Sequence, residues 1–304
     1  MPEQAIPAHG RARPDAPVDY STTATTANAA AHGIEAELRR DLGTGAAAAM
    51  ATAHLDAGGR RIRARLALEL IPATGISQNA AMAAACSAEL LHNASLVHDD
   101  IQDRTSLRRG QPTLVARHGA EAALCVGDLL ISAAWAALAR LPVDCLPAAM
   151  GCMHAALAAT CSGQVEDLTH ACIDETAYQR IAAGKSGPLL ALPVQLMAIL
   201  VGRSDLDGAI AKVAEALAHG YQIEDDLADA AEDRLLGRPN LVCLYEDRGL
   251  STVAARRLAA EHARSALEQA RNDAAALPAG LGSSLGALAV AIQRRNDTWS
   301  ADVA

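Results

Sequence analysis

Two long stretches of this 304-residue chain contain neither glycine nor proline, and they constrain the fold more than any other feature. They run from Ile76 to Arg109 and from Leu250 to Leu277, and both are rich in alanine and leucine. These residues favour helices, whereas strands favour β-branched and aromatic residues. A helix through most of the first stretch would be about 45 Å long at about 1.5 Å per residue. Such a length predicts a large helical bundle.

The rest of the sequence agrees with an all-α fold. Hydrophobic residues make up 51% of the chain, phenylalanine is absent, and no segment shows the two-residue alternation that predicts a strand. We expect one domain over residues 29–304, preceded by a flexible tail, residues 1–28, that is rich in Pro, Ala, Thr and Arg. The glycine- and proline-containing breaks are expected to be loops between helices, at residues 58–59, 110–112, 184–188 and 237–239.

The charge and hydropathy of the chain exclude several functions. A net charge of -9 argues against a general nucleic-acid binder, which needs a basic face. No stretch reaches about 18 uninterrupted apolar residues, so no transmembrane segment is expected. The N-terminus lacks the basic-then-apolar order of a signal peptide, and a cytoplasmic location is expected by default.

The first acidic cluster is the run D-D-I-Q-D at positions 99–103. On a helix, Asp99 and Asp103 lie on one face, while Asp100 points about 100° away. Two like charges in this arrangement repel unless a cation lies between them, and Mg²⁺ prefers one or two carboxylates together with substrate phosphates. A solvated acidic helix face is the alternative interpretation of this run alone.

The second acidic cluster, D-D-L-A-D at positions 225–229, repeats the spacing about 120 residues later. Ile223, Leu227 and Ala228 lie among its acids, so this helix is expected to be partly buried. Buried carboxylates need a counter-charge. The two clusters together predict the two walls of one polynuclear metal site.

Basic groups accompany these acids in an otherwise acidic chain. Arginines follow the glycine pair in G-G-R-R-I-R at positions 58–63, and Arg108 and Arg109 follow the first acidic cluster. Arginine forks suit phosphate oxygens. The segment G-K-S-G at 184–187 lacks the earlier glycine and the preceding strand of a P-loop, so we reject that interpretation.

These motifs, in this order, resemble the polyprenyl synthetase family of trans-prenyltransferases, and geranylgeranyl diphosphate synthases in particular. The similarity runs from about Gly58 to Asp229. Its parts are G-G-R-R-I-R-A at 58–64, the first Asp motif with its trailing R-R-G-x-P to 112, G-D-x-L at 127–130, G-Q-x-x-D at 163–167, K-S at 185–186 and Y-Q-x-x-D-D-x-x-D at 221–229.

The resemblance implies an isoprenoid-synthase-type bundle around a central cavity, working as a homodimer on isopentenyl diphosphate and an allylic diphosphate. It implies Mg²⁺ as cofactor, three ions with substrate bound, and Asp99, Asp103, Lys185 and Asp225 as catalytic residues. The metal-binding residues that it implies are Asp99, Asp100, Asp103, Asp225, Asp226 and Asp229. The allylic diphosphate would be held by Arg108, Lys185 and Gln222, in a site also lined by Gln164, Asp167 and Ser186. The isopentenyl diphosphate would be held by Arg60, Arg63, His92 and Arg109.

The sequence departs from the family pattern after Asp229, where the usual lysines are missing; Arg234 and Arg238 are the candidate replacements. Arg60 stands where the family usually has lysine. Ser95 and Ala94 precede the first Asp motif where aromatic residues often block chain growth in this family. A product of about twenty carbons or more is therefore expected, with Leu90, Leu91 or a neighbouring helix as the floor.

Two alternative functions remain open from the sequence. A terpene cyclase shares the fold and the metal-triggered ionisation, but it needs no isopentenyl site. A non-catalytic regulatory subunit of a prenyl diphosphate synthase would bind and retune an active partner, and the altered segment after Asp229 keeps this possibility open.

Overall fold

The computed structural model describes residues 33–169, 174–278 and 280–301, and for residues 296–301 only the backbone. Over these ranges long helices dominate, which confirms the all-α prediction. The seven longest helices are α5 (Gln78–Gln102), α7 (Ala120–Leu138), α8 (Leu146–Thr169), α9 (Glu175–Leu200), α10 (Asp207–Leu236), α12 (Thr252–Ala275) and α13 (Ser283–Ala301).

Shorter elements connect and cap these helices. Two 3-10 turns, Val143–Cys145 and Ser204–Leu206, precede α8 and α10. The remaining elements are α1 (33–39), α2 (Ala46–Asp56), α3 (Ile62–Leu68), α4 (Ile71–Thr74), the strands β1 (Leu107–Arg108) and β2 (Gln111–Pro112), α6 (Leu114–His118) and α11 (Leu241–Asp247).

The long helix expected through Ile76–Arg109 forms as α5 but ends at Gln102. It begins where the Ser77 hydroxyl accepts a hydrogen bond from the Ala80 amide at 3.3 Å, which satisfies a free helix N–H. The expectation that the chain has no strand is wrong in one place, since β1 and β2 pair antiparallel beyond the helix end. Two-residue strands are too short for an alternating pattern to show in the sequence.

The break expected at residues 184–188 is also wrong, because α9 continues through it. Pro188 and Pro193 both lie inside this helix. Each proline removes one intrahelical hydrogen bond, and the cost is offset because almost every side chain from Gly187 to Ala198 is buried in the bundle. Tertiary burial thus overrides the local breaking signal.

Helix α5 lies at the centre of the bundle and packs against α3, α7 and α9. Helix α8 packs mainly on α9, and α10 is held between α9, α12 and α13. Fully buried leucines, Leu90 of α5, Leu130 of α7 and Leu192 of α9, join one core. Each buried leucine contributes about 1.5–3 kcal/mol. This core sets the relative positions of the helices that carry the charged residues.

The predicted tail, residues 1–28, lies outside the described residues. Three helical segments are long and apolar enough, by length and composition alone, to cross a membrane: Ala120–Leu138, Val143–Thr169 and Glu175–Leu200. The expected absence of a membrane span therefore stays a prediction.

Candidate active site

A cavity of about 400 Å³ opens among α3, α5, the β1–β2 hairpin, α9, α10 and α13. Charged, polar and aliphatic side chains all contribute to its lining. The charged and polar residues that line it include Arg60, Arg61, Arg63, Glu89, His92, Ser95, Asp99, Arg108, Arg109, Lys185, Ser186, Tyr221, Gln222 and Asp225, and the aliphatic ones are Ile62, Leu96, Leu189, Leu190, Leu288 and Ile292.

One acid of each Asp cluster lines this cavity, Asp99 from α5 and Asp225 from α10. Burial raises the pKa of Asp225 to about 8, and the carboxylates of Glu224 and Asp229 add to the rise while Arg60 opposes it. Burial also raises the pKa of Asp99, with Lys185 opposing. Both acids therefore lie where a cation would stabilise their charged forms.

The other acids of the first cluster have different surroundings. Asp103 caps the C-terminus of α5, where it is exposed and lines a second cleft of about 240 Å³ beside the cavity. Asp100 is buried and accepts hydrogen bonds from the Arg108 guanidinium, with Nε 3.0 Å away. Asp100 thus anchors the hairpin and lies outside the lining of the main cavity.

Asp226 likewise lies outside the lining, and its buried carboxylate is already bonded. It accepts from the Leu241 amide at 2.6 Å and from Gln222 Nε2 at 3.0 Å. Burial still raises its pKa to about 6, because these bonds offset only part of the desolvation. Asp229 is exposed on the last part of α10.

The donor chemistry of these acids fits magnesium. Carboxylate oxygens are the ligands that Mg²⁺ prefers, and Mg²⁺ usually keeps only one or two of them, with the other positions taken by water and substrate phosphates. Within the described ranges, no three His, Cys, Asp or Glu side chains lie close enough together to hold a metal ion by themselves. Asp99 and Asp103 on one wall and Asp225 and Asp229 on the other could hold the ions once a diphosphate supplies the remaining oxygens.

A tight turn places Arg109 over the cavity. The β1–β2 register leaves only Arg109 and Gly110 in the turn, and their φ angles of 52° and 71° match the two-residue hairpin turn that needs positive φ at both positions. The Arg109 guanidinium donates to the Gly58 carbonyl. Gly59 has a φ of 137°, which side-chain-bearing residues rarely adopt, and a Cβ there would also require the Arg109 guanidinium, 2.7 Å away, to shift.

Arg63 and His92 meet beneath this turn. Arg63 NH1 lies 3.1 Å from His92 Nε2, and because arginine can only donate, the histidine nitrogen is the acceptor. Burial, followed by the charge of Arg63, holds the pKa of His92 well below its usual value. His92 is therefore neutral and orients Arg63, and its side chain lines the cavity.

Close packing of α8 on α9 brings Lys185 into the site. A Cβ on Gly163 would overlap the backbone of Gly184, so the two helices touch through glycine. Lys185 Nζ lies 2.8 Å from the Asp167 carboxylate. Burial opposes its charge, but Asp99 and Asp167 together raise the pKa of Lys185 above its ordinary value. Lys185 is therefore a cation beside Asp99.

Two further predicted residues lie on this side. The Gln164 side chain donates from Nε2 to Gln102 Oε1 at 2.7 Å, which joins α8 to the end of α5. Ser186 lines the main cavity, and Gln222 lines both the cavity and the adjoining cleft.

The polyprenyl synthetase family model matches residues 46–243. The chain belongs to this family. It is 33% identical over 250 residues, 74% of this chain and 83% of the relative, to the geranylgeranyl diphosphate synthase of Cereibacter sphaeroides. It is 32% identical to that of Methanosarcina mazei, over 60% of this chain and 59% of the relative. The chain thus spans about three-fifths of the length of several curated relatives it matches.

The fold agrees with solved members. The structure of the geranylgeranyl pyrophosphate synthetase from the archaeon Geoglobus acetivorans superposes with a TM-score of 0.78 at 25% identity, covering 88% of this chain and 98% of that one. The helical bundle around a cavity is the shared architecture.

The two candidate replacements for the family's missing lysines lie in different places. Arg234 forms ion pairs with Glu246 and Asp247, both at 2.8 Å, and so ties α10 to α11. Arg238 lines the adjoining cleft that Asp103 and Lys185 also line. Of the two, Arg238 is therefore the one that lies in a cleft with Lys185.

Sequence reasoning missed several residues at the site. Glu89 is a buried acid that accepts from the Ala64 amide at 3.1 Å and lies 3.8 Å from Arg61, so it supports the start of α3. Leu288 and Ile292 of α13 form part of the cavity wall. Glu89 could have been found from the sequence, because it is an acid among the apolar residues of α5. Nothing in the sequence of α13 indicated that Leu288 and Ile292 line this cavity.

Proposed function

We propose that this protein catalyses the head-to-tail (1'-4) condensation of isopentenyl diphosphate with an allylic diphosphate, giving a longer trans-prenyl diphosphate. The observation that carries this proposal is the presence of two separate cationic groups around one cavity. Arg60, Arg63 and Arg109 lie on the α3 and hairpin side, and Lys185 lies on the α9 side near Asp99. Two groups of this kind suit two diphosphates.

Different residues of the chain would bind the two substrates. Lys185, Arg108 and Gln222 would hold the allylic diphosphate, and the charge of Lys185 would stabilise the diphosphate as the allylic C–O bond breaks and it departs with the electron pair. Arg60, Arg63, His92 and Arg109 would hold the isopentenyl diphosphate with its double bond toward the cation. The double bond attacks, and a proton lost to the departing diphosphate leaves the new double bond.

The aliphatic part of the cavity would protect the cation. Leu96, Leu189, Leu190 and Ile292 present no nucleophile and exclude water. Magnesium, held by Asp99, Asp103, Asp225 and Asp229 in three ions, would supply further neutralisation of the leaving diphosphate. Asp100 and Asp226 would support these ligands through Arg108 and Gln222, the partners to which the structure bonds them.

The decisive experiment incubates the purified protein with Mg²⁺, isopentenyl diphosphate and each shorter allylic diphosphate, and identifies the products by mass. Elongated prenyl diphosphates are expected. A cyclic hydrocarbon formed without consumption of isopentenyl diphosphate would support the cyclase instead, and absence of turnover without a partner subunit would support the regulatory role.

A product of about twenty carbons or more is expected because the fourth and fifth residues before Asp99 are Ser95 and Ala94, neither of which is aromatic. Ser95 lines the cavity, one turn below that acid, together with aliphatic residues of α9. We expect Ser95→Phe to shorten the main product by at least one five-carbon unit while keeping most of the activity. Product analysis by mass spectrometry measures this, with Ser265→Phe on the exposed face of α12 as control. An unchanged product distribution would contradict the placement of the chain.

We propose a homodimer formed through α7 and α8. Large apolar side chains on these helices are half-exposed or more: Leu124 at 51%, Met150 at 52% and Val165 at 57%. Helix α8 packs mainly on α9, and only 22% of the most apolar window of Val143–Thr169 is buried. An exposed apolar face of this extent suits a second copy of the chain.

Light scattering tests this arrangement. The wild-type protein is expected at twice the monomer mass, and Met150→Glu with Val165→Glu is expected at the monomer mass. The control is Leu235→Glu, since Leu235 is 87% exposed but lies at the end of α10. A monomeric wild-type protein would contradict the proposal.

A further inference from the structure

Tyr221 lies at the cavity beside two arginines. Arg60 NH2 donates a hydrogen bond to the Tyr221 hydroxyl at 2.6 Å. The guanidinium carbons of Arg60 and Arg295 each lie 5.6 Å from the centroid of the tyrosine ring. At this distance each cation is attracted by the ring. The tyrosine therefore contacts one arginine from the loop before α3 and one from α13.

The two arginine side chains have different partners. Arg295 lies 2.8 Å from the buried carboxylate of Glu224, an ion pair that ties α13 to α10. Among the described residues Arg60 forms no ion pair, and its hydrogen-bond partner is a phenol. Burial, followed by the charge of Asp225, raises the pKa of Tyr221, so the phenol stays neutral. Arg60 interacts with Asp225 only through its field, without an ion pair among the described residues, so its guanidinium can still bind an external anion.

The hydrogen bond to Tyr221 also restricts the position of the Arg60 guanidinium. A long, exposed arginine side chain such as that of Arg60 loses rotamer entropy when a ligand orders it. A partner that holds the guanidinium in advance removes part of this cost from binding. Tyr221 is itself held by its place on the long helix α10 and by contact with Arg295.

We propose that Tyr221 is a positioning residue that holds the Arg60 guanidinium in place for the diphosphate of isopentenyl diphosphate; this rests on the proposed function. Tyr221 acts through Arg60 and not on the reacting carbons. Its contact with Arg295 joins this position to α13, which also forms the aliphatic wall through Leu288 and Ile292.

The test measures the affinity of isopentenyl diphosphate by calorimetry and its KM during turnover. Tyr221→Phe keeps the ring and removes only the hydroxyl. We expect its affinity for isopentenyl diphosphate to fall about tenfold, as for loss of one hydrogen bond to a charged group, with KM rising in parallel and kcat changing by less than about threefold. The matched control is Tyr245→Phe. The Tyr245 hydroxyl forms a 2.7 Å hydrogen bond with His262, and Tyr245 does not line the cavity.

A double-mutant cycle separates positioning from a structural effect. In an Arg60→Ala background, Tyr221→Phe is expected to change the affinity by less than about twofold, because the group that it positions is gone. An equal loss in both backgrounds, or wild-type affinity in Tyr221→Phe, would overturn the proposal.

The two proposals can fail separately. If the wild-type protein binds isopentenyl diphosphate but forms no longer chain, the proposed function fails, and the calorimetric cycle still decides the role of Tyr221. If the wild-type protein elongates and the cycle shows no coupling, only the role of Tyr221 fails. No binding of isopentenyl diphosphate to the wild-type protein would overturn both.

Discussion

Replacing Asp225 by asparagine is expected to lower kcat by at least about a thousandfold and to make the metal-free protein more stable. The loss of activity follows because the amide is a weaker ligand and carries no charge for a cation at the α10 wall, and a thousandfold corresponds to about 4 kcal/mol of transition-state stabilisation. Steady-state kinetics at saturating Mg²⁺ measure it. The control, Asp144→Asn, changes an exposed acid in the 3-10 turn before α8 and should leave kcat unchanged.

The gain in stability has a defined pH dependence. An unfolded aspartate titrates near 3.9, whereas in the folded protein burial, then Glu224 and Asp229, raise the pKa of Asp225 to about 8. Between these values unfolding releases a proton, so the wild-type protein loses stability as pH rises from about 4 to about 8. Asparagine has no such linkage, and its advantage in Tm should grow from pH 5 to pH 8 without magnesium.

Two results would contradict this account of Asp225. Near-normal turnover in Asp225→Asn would remove this acid from the metal site. A Tm advantage that is the same at pH 5 and pH 8 would show that the carboxyl is not held protonated by its surroundings. The measurement uses chelator-treated protein, since bound metal would hold the carboxylate in its charged form.

Asp99→Asn and Asp100→Asn are expected to fail in different ways. Asp99 lines the cavity beside Lys185, so its loss should lower kcat by at least about a thousandfold with little change in Tm. Asp100 is buried while its partner Arg108 is 31% exposed, so the cost of removing the carboxylate is expected to be below the about 3–5 kcal/mol of a fully buried pair. Asp100→Asn should therefore lower Tm and weaken substrate binding through a displaced hairpin, with a smaller effect on kcat at saturation.

Kinetics with thermal unfolding on both variants distinguish the two roles. Activity in Asp99→Asn restored by higher Mg²⁺ would indicate weakened metal binding, in agreement with the proposal. Equal losses of kcat with unchanged Tm in both variants would instead place Asp100 among the metal ligands. Wild-type kcat in Asp99→Asn would remove the α5 wall from the site.

The mainly helical fold could be predicted, and so could the occurrence of basic groups together with the two acidic clusters, because both depend on local sequence patterns. Spacing of four residues places Asp99 and Asp103 on one helix face wherever that helix lies. Burial could not be predicted, and it separates residues that look alike in sequence. Asp99 and Asp100 are adjacent in the sequence, yet Asp99 lines the cavity whereas Asp100 is hydrogen-bonded to Arg108 outside it.

The break expected at residues 184–188 shows the same limit from the other direction. Glycine and proline are breakers in an isolated helix. Within the bundle, Gly163 and Gly184 instead allow two helices to touch, and that contact places Lys185 beside Asp99 and Asp167. A glycine or proline in the sequence does not indicate which other helix will pack against that position.

The sequence by itself determined that this chain forms long helices and carries two acidic clusters with basic groups in a fixed order, because helix propensity and side-chain charge are properties of the residues. Only the tertiary structure decided which of those charges face one cavity, that Arg238 and not Arg234 lines the adjoining cleft, and that α13 contributes a wall and Arg295. Those outcomes depend on packing between residues far apart in the chain, where desolvation and partner choice set the chemistry of each group.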